Sequence, residues 1–429
     1  MRLYNINDCN ETASFIQAAL RGMGSKGGLY FPEKFPYFKD INTLLGQDFI
    51  NRSISIAKAF LEDELPNETI IRLVKNTFQF PVILRPITSK ISALELFHGP
   101  TLAFKDFGAR FMAELFSELR HINKDDKPTT ILCATSGDTG AAVANAFYGL
   151  SHIQVVILYP YQRISALQEK MFCTLGGNIH TLAVKGDFDV CQAMVKQCFA
   201  HPELVDSLGL NVANSINISR LLPQSFYYFE AMAQLPQNDN TVIAVPSGNF
   251  GNLTAGLWAQ RMGLPIKSFI AATNSNDTIP RYLRTGKWQV NPTVNTLSNA
   301  IDVSFPNNWP RIEELFNKKG EMPQQNIRSI AINEDDTIDA MRELHGLGYI
   351  ADPHSAVAYA GLKECLQADE RGVFICTAHP AKFKQSVEQI LQIEIPLSSA
   401  LANVVEKPIL SKIVEADFAA IRSFLCELG

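Results

Sequence analysis

The stretch His98-Gly-Pro-Thr-Leu-Ala-Phe-Lys-Asp-Phe-Gly108 places one lysine, Lys105, among apolar residues. Burial disfavours the ammonium form, so a lysine held in such a segment can lose its proton at low cost. The neutral amine can then form a Schiff base with an aldehyde. The alternative is ordinary, because a lysine between two phenylalanines often packs its stem and leaves its amine in water. Taken alone, the stretch makes Lys105 a candidate and no more.

Two glycine-containing loops lie downstream, Ala134-Thr-Ser-Gly-Asp-Thr-Gly140 and Pro246-Ser-Gly-Asn-Phe-Gly-Asn252. A Ser/Gly/Asn loop that opens a helix offers an anion its free backbone N–H groups and the positive end of the helix dipole. One such loop is weak evidence, because glycine marks any tight turn. Pyridoxal phosphate carries both an aldehyde for a lysine and a phosphate for such a loop. The lysine and the loops together therefore indicate a site for this cofactor.

Short apolar runs alternate with amphipathic segments from about Val82 onwards. Continuous runs rich in β-branched residues, each followed by a segment of helical period, predict buried parallel strands in an α/β sheet. One set includes Thr130-Ile-Leu-Cys133, and a second set begins at Val242-Ile-Ala-Val245 and closes with Val373-Phe-Ile-Cys376. We therefore predict an α/β fold with two doubly wound lobes around a cleft. A mixed N-terminal domain over residues 1–81 would precede a catalytic region over residues 82–429.

Three polar residues, Ser136, Ser247 and Thr377, each follow an apolar run directly. Ligands of open α/β sheets bind at the carboxyl ends of the strands. The placement of these residues predicts that the separate motifs meet in one site.

The bulk composition excludes several other classes of protein. The chain has 429 residues and a formal net charge of −5, which gives no basic footprint for nucleic acid or an anionic membrane. No apolar run approaches the length of a membrane span, and the N-terminus lacks the apolar core of a signal peptide. The eight cysteines and eight histidines show no disulfide framework and no metal-ligand spacing. We expect a cytoplasmic protein without a catalytic metal.

Five motifs follow one another along the chain. They are Glu95-Leu-Phe-His-Gly-Pro-Thr-Leu-Ala-Phe-Lys-Asp106, Ala134-Thr-Ser-Gly-Asp-Thr-Gly-Ala141, Asn214-Ser-Ile-Asn-Ile-Ser-Arg220, Pro246-Ser-Gly-Asn-Phe-Gly251 and Thr377-Ala-His-Pro-Ala-Lys-Phe383. In this order they resemble the threonine synthase family, in its longer, enterobacterial- and yeast-like branch, and the resemblance runs over essentially the whole chain. It implies a fold-type II pyridoxal-phosphate enzyme, related to the tryptophan synthase β-subunit and to serine/threonine dehydratases.

The resemblance also implies the residues that bind the cofactor. Lys105 would hold pyridoxal phosphate covalently and act as the catalytic proton shuttle. A glycine-rich loop would surround the cofactor phosphate, and a threonine would meet the pyridine nitrogen. These cofactor-binding residues are Lys105, Gly248, Asn249, Phe250, Gly251 and Thr377.

The substrate implied is O-phospho-L-homoserine, which would react with water to give L-threonine and phosphate by β,γ-elimination and replacement. Asp138 stands where many relatives have asparagine, and a carboxylate cannot donate a hydrogen bond unless it is protonated. Its contact with the phenolic oxygen of the cofactor is therefore left open. The residues implied to bind substrate are Thr135, Ser136, Asp138, Thr139, Asn214, Ser215 and Arg220.

Three cationic residues have a simpler interpretation. Arg220 offers a planar fork to phosphate oxygens, but a salt bridge on a helix surface would explain it equally well. Lys382 and Lys384 are further cations in the last motif. Solvated lysines are commoner, so we assign neither lysine to the site.

Alternative functions also follow from the motifs. Within the same superfamily, the chain could be a threonine/serine dehydratase-like lyase or a phospholyase that forms 2-oxobutyrate. A nucleotide-binding α/β protein would require a G-x-G-x-x-G turn, which Ser136-Gly-Asp-Thr-Gly140 does not fit. A non-catalytic relative would be expected to lack Lys105 or Arg220, and both are present. The sequence leaves open whether the protein is a monomer or a homodimer.

Overall fold

The computed structural model describes residues 1–123, 127–135, 137–236, 240–318 and 320–428. In these ranges the strands are β1 Arg2–Asn5, β2 Asp8–Ser14, β3 Tyr30–Pro32, β4 Ile83–Pro86, β5 Ile91–Glu95, β6 Thr129–Ala134, β7 Ile153–Pro160, β8 Ile179–Val184, β9 Leu210–Val212, β10 Thr241–Pro246, β11 Ser268–Thr273, β12 Ile327–Ala331, β13 Arg371–Cys376 and β14 Lys412–Val414.

The same ranges contain the helices α1 Phe15–Arg21, α2 Ile41–Leu45, α3 Phe49–Leu61, α4 Asn67–Thr77, α5 Lys105–Asn123, α6 Asp138–Phe147, α7 Ala166–Cys173, α8 Phe188–Phe199, α9 Pro202–Leu208, α10 Ile218–Leu221, α11 Phe226–Ala233, α12 Gly251–Arg261, α13 Thr278–Thr285, α14 Trp309–Asn317, α15 Glu334–Gly346, α16 Pro353–Cys365, α17 Lys384–Leu391, α18 Ser399–Val405 and α19 Phe418–Leu428.

Two α/β lobes form the body of the molecule, which confirms the predicted fold class. The smaller sheet has the strand order β14-β8-β7-β6-β9 and only parallel pairs. The larger sheet has the order β12-β11-β10-β13-β5-β4, in which β4 alone runs antiparallel to its neighbour. We call these the small-sheet lobe and the large-sheet lobe. Their central strands are buried on both faces, as continuous apolar runs require.

The chain passes between the lobes more than once, which the sequence pattern did not predict. Strands β4 and β5 precede the whole small-sheet lobe, yet β5 pairs with β13 near the other end of the chain, and β4 pairs with β5. Strand β14 returns late in the chain to pair with β8 of the small-sheet lobe. As a result, the Lys105 loop, which follows β5, lies at the same sheet edge as the loops after β10 and β13.

The N-terminal region combines the three-stranded sheet β2-β1-β3 with α1 to α4. Helix α1 begins with a capping box, in which Ser14 and Gln17 bond reciprocally to each other's backbone. Helix α4 ends at Thr77, and β4 of the large-sheet lobe begins at Ile83. A domain boundary at residue 81 remains a prediction. Among the described residues, no helix is long and apolar enough to span a bilayer.

Candidate active site

A cavity lies where the loops after β5, β6, β10 and β13 meet. Lys105 is the first residue of α5 and lines this cavity with its Nζ 4.5 Å from the centre of the Phe104 ring. Of the predicted site residues, the cavity wall includes Lys105, Asp138, Ser215, Gly248, Asn249, Phe250, Gly251 and Thr377. Further wall residues are Gln224, Ser247, Asn252, Ala300, Ile301 and His354.

The electrostatic surroundings favour the neutral amine of Lys105. Burial lowers its pKa to about 8, and the nearby guanidinium of Arg220 acts in the same direction. The carboxylate of Asp138 acts in the opposite direction and only partly offsets the other two effects. Lys105 therefore has the environment of a reactive lysine rather than of a lysine whose amine extends into water.

The loop after β10 leaves a run of backbone N–H groups without acceptors. Helix α12 begins at Gly251, and Phe250 before it adopts a left-handed backbone with φ 60°. Within the described chain, no acceptor is recorded for the amides of residues 248–253, whereas the next amide, that of Thr254, donates to Phe250 O. Six free amides at a helix N-terminus form an anion cradle, as predicted for a cofactor phosphate.

The cavity also contains buried polar atoms that lack a partner. Asn252 accepts hydrogen bonds from Tyr227 and Tyr228 through Oδ1, at 2.6 and 2.7 Å, but its Nδ2 has no acceptor among the described residues. In the same part of the chain, Gln224 Oε1 is likewise buried without a donor. Orphaned groups of this kind cost free energy unless a ligand satisfies them. The reactive lysine, the amide cradle and the orphaned polar atoms together fit pyridoxal phosphate.

Asp138 is a buried carboxylate paired with Lys382. Its Oδ1 lies 2.6 Å from Lys382 Nζ and accepts a hydrogen bond from Gln168 Nε2 at 3.2 Å. Burial alone would raise the pKa of Asp138, but Lys382 reverses that effect and holds the pKa below its ordinary value. Our interpretation of Lys382 as a solvated lysine is wrong, because its side chain is fully buried. Its partner lies 244 residues away, and no local signal in the sequence indicated it.

Of the other residues predicted to bind substrate, Ser215 lies in the cavity wall, whereas Thr135, Thr139 and Asn214 are not part of the described wall. Thr135 Oγ1 accepts from the amides of Gly137 and Gly140, at 3.0 and 2.8 Å, so its hydroxyl shapes the loop. Asn214 Nδ2 donates to Ala134 O at the end of β6. Ser215 Oγ accepts from Asn308 Nδ2 at 2.9 Å. Thr139 is partly exposed in the first turn of α6, and Ser136 lies outside the described residues.

Arg220 is buried beneath the site and does not form a surface salt bridge, so that alternative is wrong. The residue is 1% exposed, and its Nη1 donates to Ala213 O. Its Nε is buried without a partner. Burial lowers its pKa to about 10, and the guanidinium remains a cation at neutral pH. A fixed positive charge therefore lies close to Lys105.

A second buried arginine, Arg311, holds the backbone of the motif that begins at Asn214. The sequence motifs did not indicate this residue. Its guanidinium donates to the carbonyls of Ser215, Ile216 and Tyr30, at 3.1, 2.6 and 3.2 Å. Tyr30 belongs to β3, so this arginine connects the N-terminal sheet to the wall of the cavity. Asn217 adds a similar link by donating to Ala19 O in α1.

His354 positions the turn that closes the cavity beside the cradle. Its Nε2 accepts from the amide of Ala300 at 3.0 Å, so the ring proton lies on Nδ1, which faces Asp352 Oδ2 at 2.6 Å. Asp352 also caps the N-terminus of α16, where its side chain accepts from the amides of His354 and Ser355. The histidine thus fixes the Asn299–Ile301 turn against the Gly248 loop.

Comparisons with known proteins agree with this site. Residues 88–378 match the family described as pyridoxal-phosphate dependent enzyme. Residues 5–78 match the threonine synthase N terminus, and residues 355–425 match the threonine synthase C-terminal family.

Individual relatives match over the full length. The chain is 57% identical to threonine synthase of Serratia marcescens over 432 residues, which cover 100% of both chains. The crystal structure of threonine synthase from Escherichia coli superposes with a TM-score of 0.96 at 55% identity, again over 100% of each chain. A structure of pyridoxal-phosphate-bound threonine synthase from Brucella melitensis gives a TM-score of 0.91 at 30% identity, covering 100% of this chain and 99% of the other. The chain belongs to the threonine synthase family of pyridoxal-phosphate-dependent enzymes.

Proposed function

We propose that this enzyme converts O-phospho-L-homoserine and water to L-threonine and phosphate. The observation that carries the proposal is the meeting of Lys105 and the amide cradle of residues 248–253 in one cavity. Family membership adds the reaction that the relatives' name describes, the synthesis of threonine. A dehydratase or a phospholyase would use the same lysine and the same amide cradle. These alternatives differ from the proposed activity in how the rest of the site acts on the substrate.

When bound, pyridoxal phosphate supplies an electron sink for the carbanion formed at the α-carbon of an amino acid. Lys105 is the residue that would hold the cofactor and then take and return protons at Cα and Cβ. Its amine needs to be neutral to accept a proton, and a pKa of about 8 leaves a usable neutral fraction at neutral pH. Gly248, Asn249, Phe250 and Gly251 would bind the cofactor phosphate, and Thr377 would meet the pyridine nitrogen.

The substrate carries two anionic groups that need donors. Ser215 lies in the cavity wall, and Asn214 precedes it. These two side chains would contact the phosphate that leaves. Arg220 would stabilise that phosphate mainly as a buried positive charge, because its fork already bonds Ala213 O. The loop that carries Thr135, Ser136, Asp138 and Thr139 would bind the substrate carboxylate.

The assignment of partners and location completes the proposal. We expect a small-molecule substrate, no nucleic-acid or membrane partner, and a monomer or a homodimer. The eight cysteines are all free thiols, which suits the reducing environment of the cytoplasm.

The products distinguish the proposal from its main alternative. Purified enzyme reconstituted with pyridoxal phosphate is expected to release phosphate and threonine from O-phospho-L-homoserine in equal amounts. A chromatographic assay for threonine and a coupled assay for 2-oxobutyrate measure the amino-acid product and the 2-oxo acid product, respectively. If 2-oxobutyrate accounts for the released phosphate, the chain is a phospholyase and the proposal fails.

The pKa of Lys105 gives a separate prediction that needs no substrate. In the full-length, cofactor-free protein, acetylation of Lys105 by acetic anhydride is expected to rise with pH around a midpoint of about 8. The peptide that contains the exposed Lys196 serves as the internal control. The two peptides can be quantified by mass spectrometry at each pH. Coincident midpoints would contradict the described environment of Lys105.

A further inference from the structure

A buried ion pair joins the two lobes directly beside the active site. Lys382 lies in the short Pro380–Phe383 turn that follows β13 of the large-sheet lobe. Asp138 is the first residue of α6 in the small-sheet lobe. Their side chains are only 0% and 6% exposed. Burying two charges costs free energy of desolvation, so stability alone is a poor explanation for such a pair.

The Asp138 carboxylate is held from both lobes. Gln168, in α7 of the small-sheet lobe, donates to it from the same side of the cleft. Gly137 allows this approach, because a Cβ at that position would lie 2.9 Å from Gln168 Nε2. Lys382 binds the same oxygen from across the cleft. The Asp138 carboxylate is therefore held by residues of both lobes.

Lys382 acts on the site through Asp138 and not by direct contact. It is absent from the wall of the Lys105 cavity and instead lines a second cavity of about 420 Å³, between the start of α7 and the start of α17. Its Nζ also donates to Thr101 O at 2.9 Å. Thr101 in turn donates to Asp106, the neighbour of Lys105, through its amide and its hydroxyl.

The charges around Lys105 show what the pair accomplishes. The groups that act on Lys105 are Arg220 and Lys382, which disfavour its ammonium form, and Asp138 and Cys133, which favour it. Lys382 and His354 face Asp138. Lys382 therefore opposes the effect of Asp138 on Lys105, and the effect of Asp138 is the larger of the two. Without Lys382, a buried carboxylate would face the amine and favour its protonation.

We propose that Lys382 is a positioning residue of this active site, which holds the Asp138 carboxylate from across the cleft and offsets its negative charge beside Lys105. The proposal rests on the function of Lys105 proposed above, and it adds a role for a residue outside the described wall of the Lys105 cavity.

The test compares charge-changing variants of the full-length, cofactor-free protein by the acetylation midpoint of Lys105. Lys382→Met removes the cation, and the midpoint is expected to rise by about one pH unit. Asp138→Asn leaves Lys382 unbalanced, and the midpoint is expected to fall. The double variant Lys382→Met/Asp138→Asn is expected to return close to the wild-type midpoint. Lys382→Arg keeps the charge and is expected to keep the midpoint.

Opposite shifts that cancel in the double variant support the proposal, because a purely structural role would make the double variant at least as altered as the single ones. Unmoved midpoints, or a double variant that resembles Lys382→Met, overturn it. If Lys382→Met does not fold, Asp138→Asn decides alone: a lower midpoint supports the proposal and an unchanged one overturns it. The product assay tests the proposed function and requires substrate, whereas the acetylation test requires none. A failure of one proposal can therefore be distinguished from a failure of the other.

Discussion

Replacement of Lys105 by alanine is expected to abolish threonine formation, with a loss of at least ~10⁴-fold in kcat. The amine has two duties, covalent attachment of the cofactor and proton transfer, and alanine removes both. The neighbouring Phe104 ring, the amide cradle and Arg220 remain, so the variant can still bind the cofactor by its phosphate. Two measurements check this prediction. They are the activity with O-phospho-L-homoserine and the amount of cofactor that stays covalently attached after reduction with borohydride.

The matched control is Lys196→Ala, on the exposed surface of α8, which should retain full activity. Borohydride treatment of the wild type should fix the cofactor on the peptide that contains Lys105, and mass spectrometry can locate it. Attachment to any other lysine, or substantial activity of Lys105→Ala, would remove the basis of the site described here.

The sequence predicted those parts of the site that lie in one local motif. Lys105, the Gly248 loop and Thr377 each follow a strand directly, and ligands of open α/β sheets bind at such strand ends. Helix α12 begins at Gly251, directly after Phe250, which takes a left-handed backbone. The sequence therefore predicted that these residues line one cavity, whereas their roles toward cofactor and substrate stay predictions.

The parts that the sequence could not predict depend on pairs far apart in the chain. Lys382 and Asp138 meet only because β13 and β6 end on opposite sides of one cleft. Arg311 contacts carbonyl oxygens, and every residue has a carbonyl, so its partners leave no trace in the sequence. The sequence also does not predict the pairing of β5 with β13, because a buried parallel strand shows the same apolar pattern in either sheet.

The buried charges of the site form a consistent arrangement. Arg220 is a fixed cation with no carboxylate in contact within the described residues, and Lys382 is neutralised by Asp138. The site therefore keeps one uncompensated positive charge near Lys105, which both favours the neutral amine and attracts the anionic substrate. If Asp138 were to pair with Arg220 instead of Lys382, its side chain would have to move, and its hydrogen bond from Gln168 opposes that movement.

Replacement of Gly248 by alanine is expected to weaken cofactor binding by about 10- to 100-fold. A Cβ at this position would lie 2.7 Å from Ile301 Cα and 3.1 Å from Ile301 O, which are backbone atoms and cannot rotate away. Either the amide cradle or the Asn299–Ile301 turn must shift, and both form the cavity wall. Overpacking of this kind costs ~1–3 kcal/mol, and about 1.4 kcal/mol corresponds to a tenfold change in affinity.

The clash identifies close approach, rather than backbone flexibility, as the reason for glycine at this position. Titration of the cofactor-free variant with pyridoxal phosphate gives the dissociation constant, and thermal unfolding of the same sample separates local from global damage. Gly346→Ala is the matched control, because nothing lies within 4 Å of a Cβ there, and alanine in the last turn of α15 should leave the affinity unchanged. An affinity of Gly248→Ala within twofold of the wild type would contradict this prediction. It would mean that the Asn299–Ile301 turn moves to accommodate the new Cβ and does not fix the position of the amide cradle.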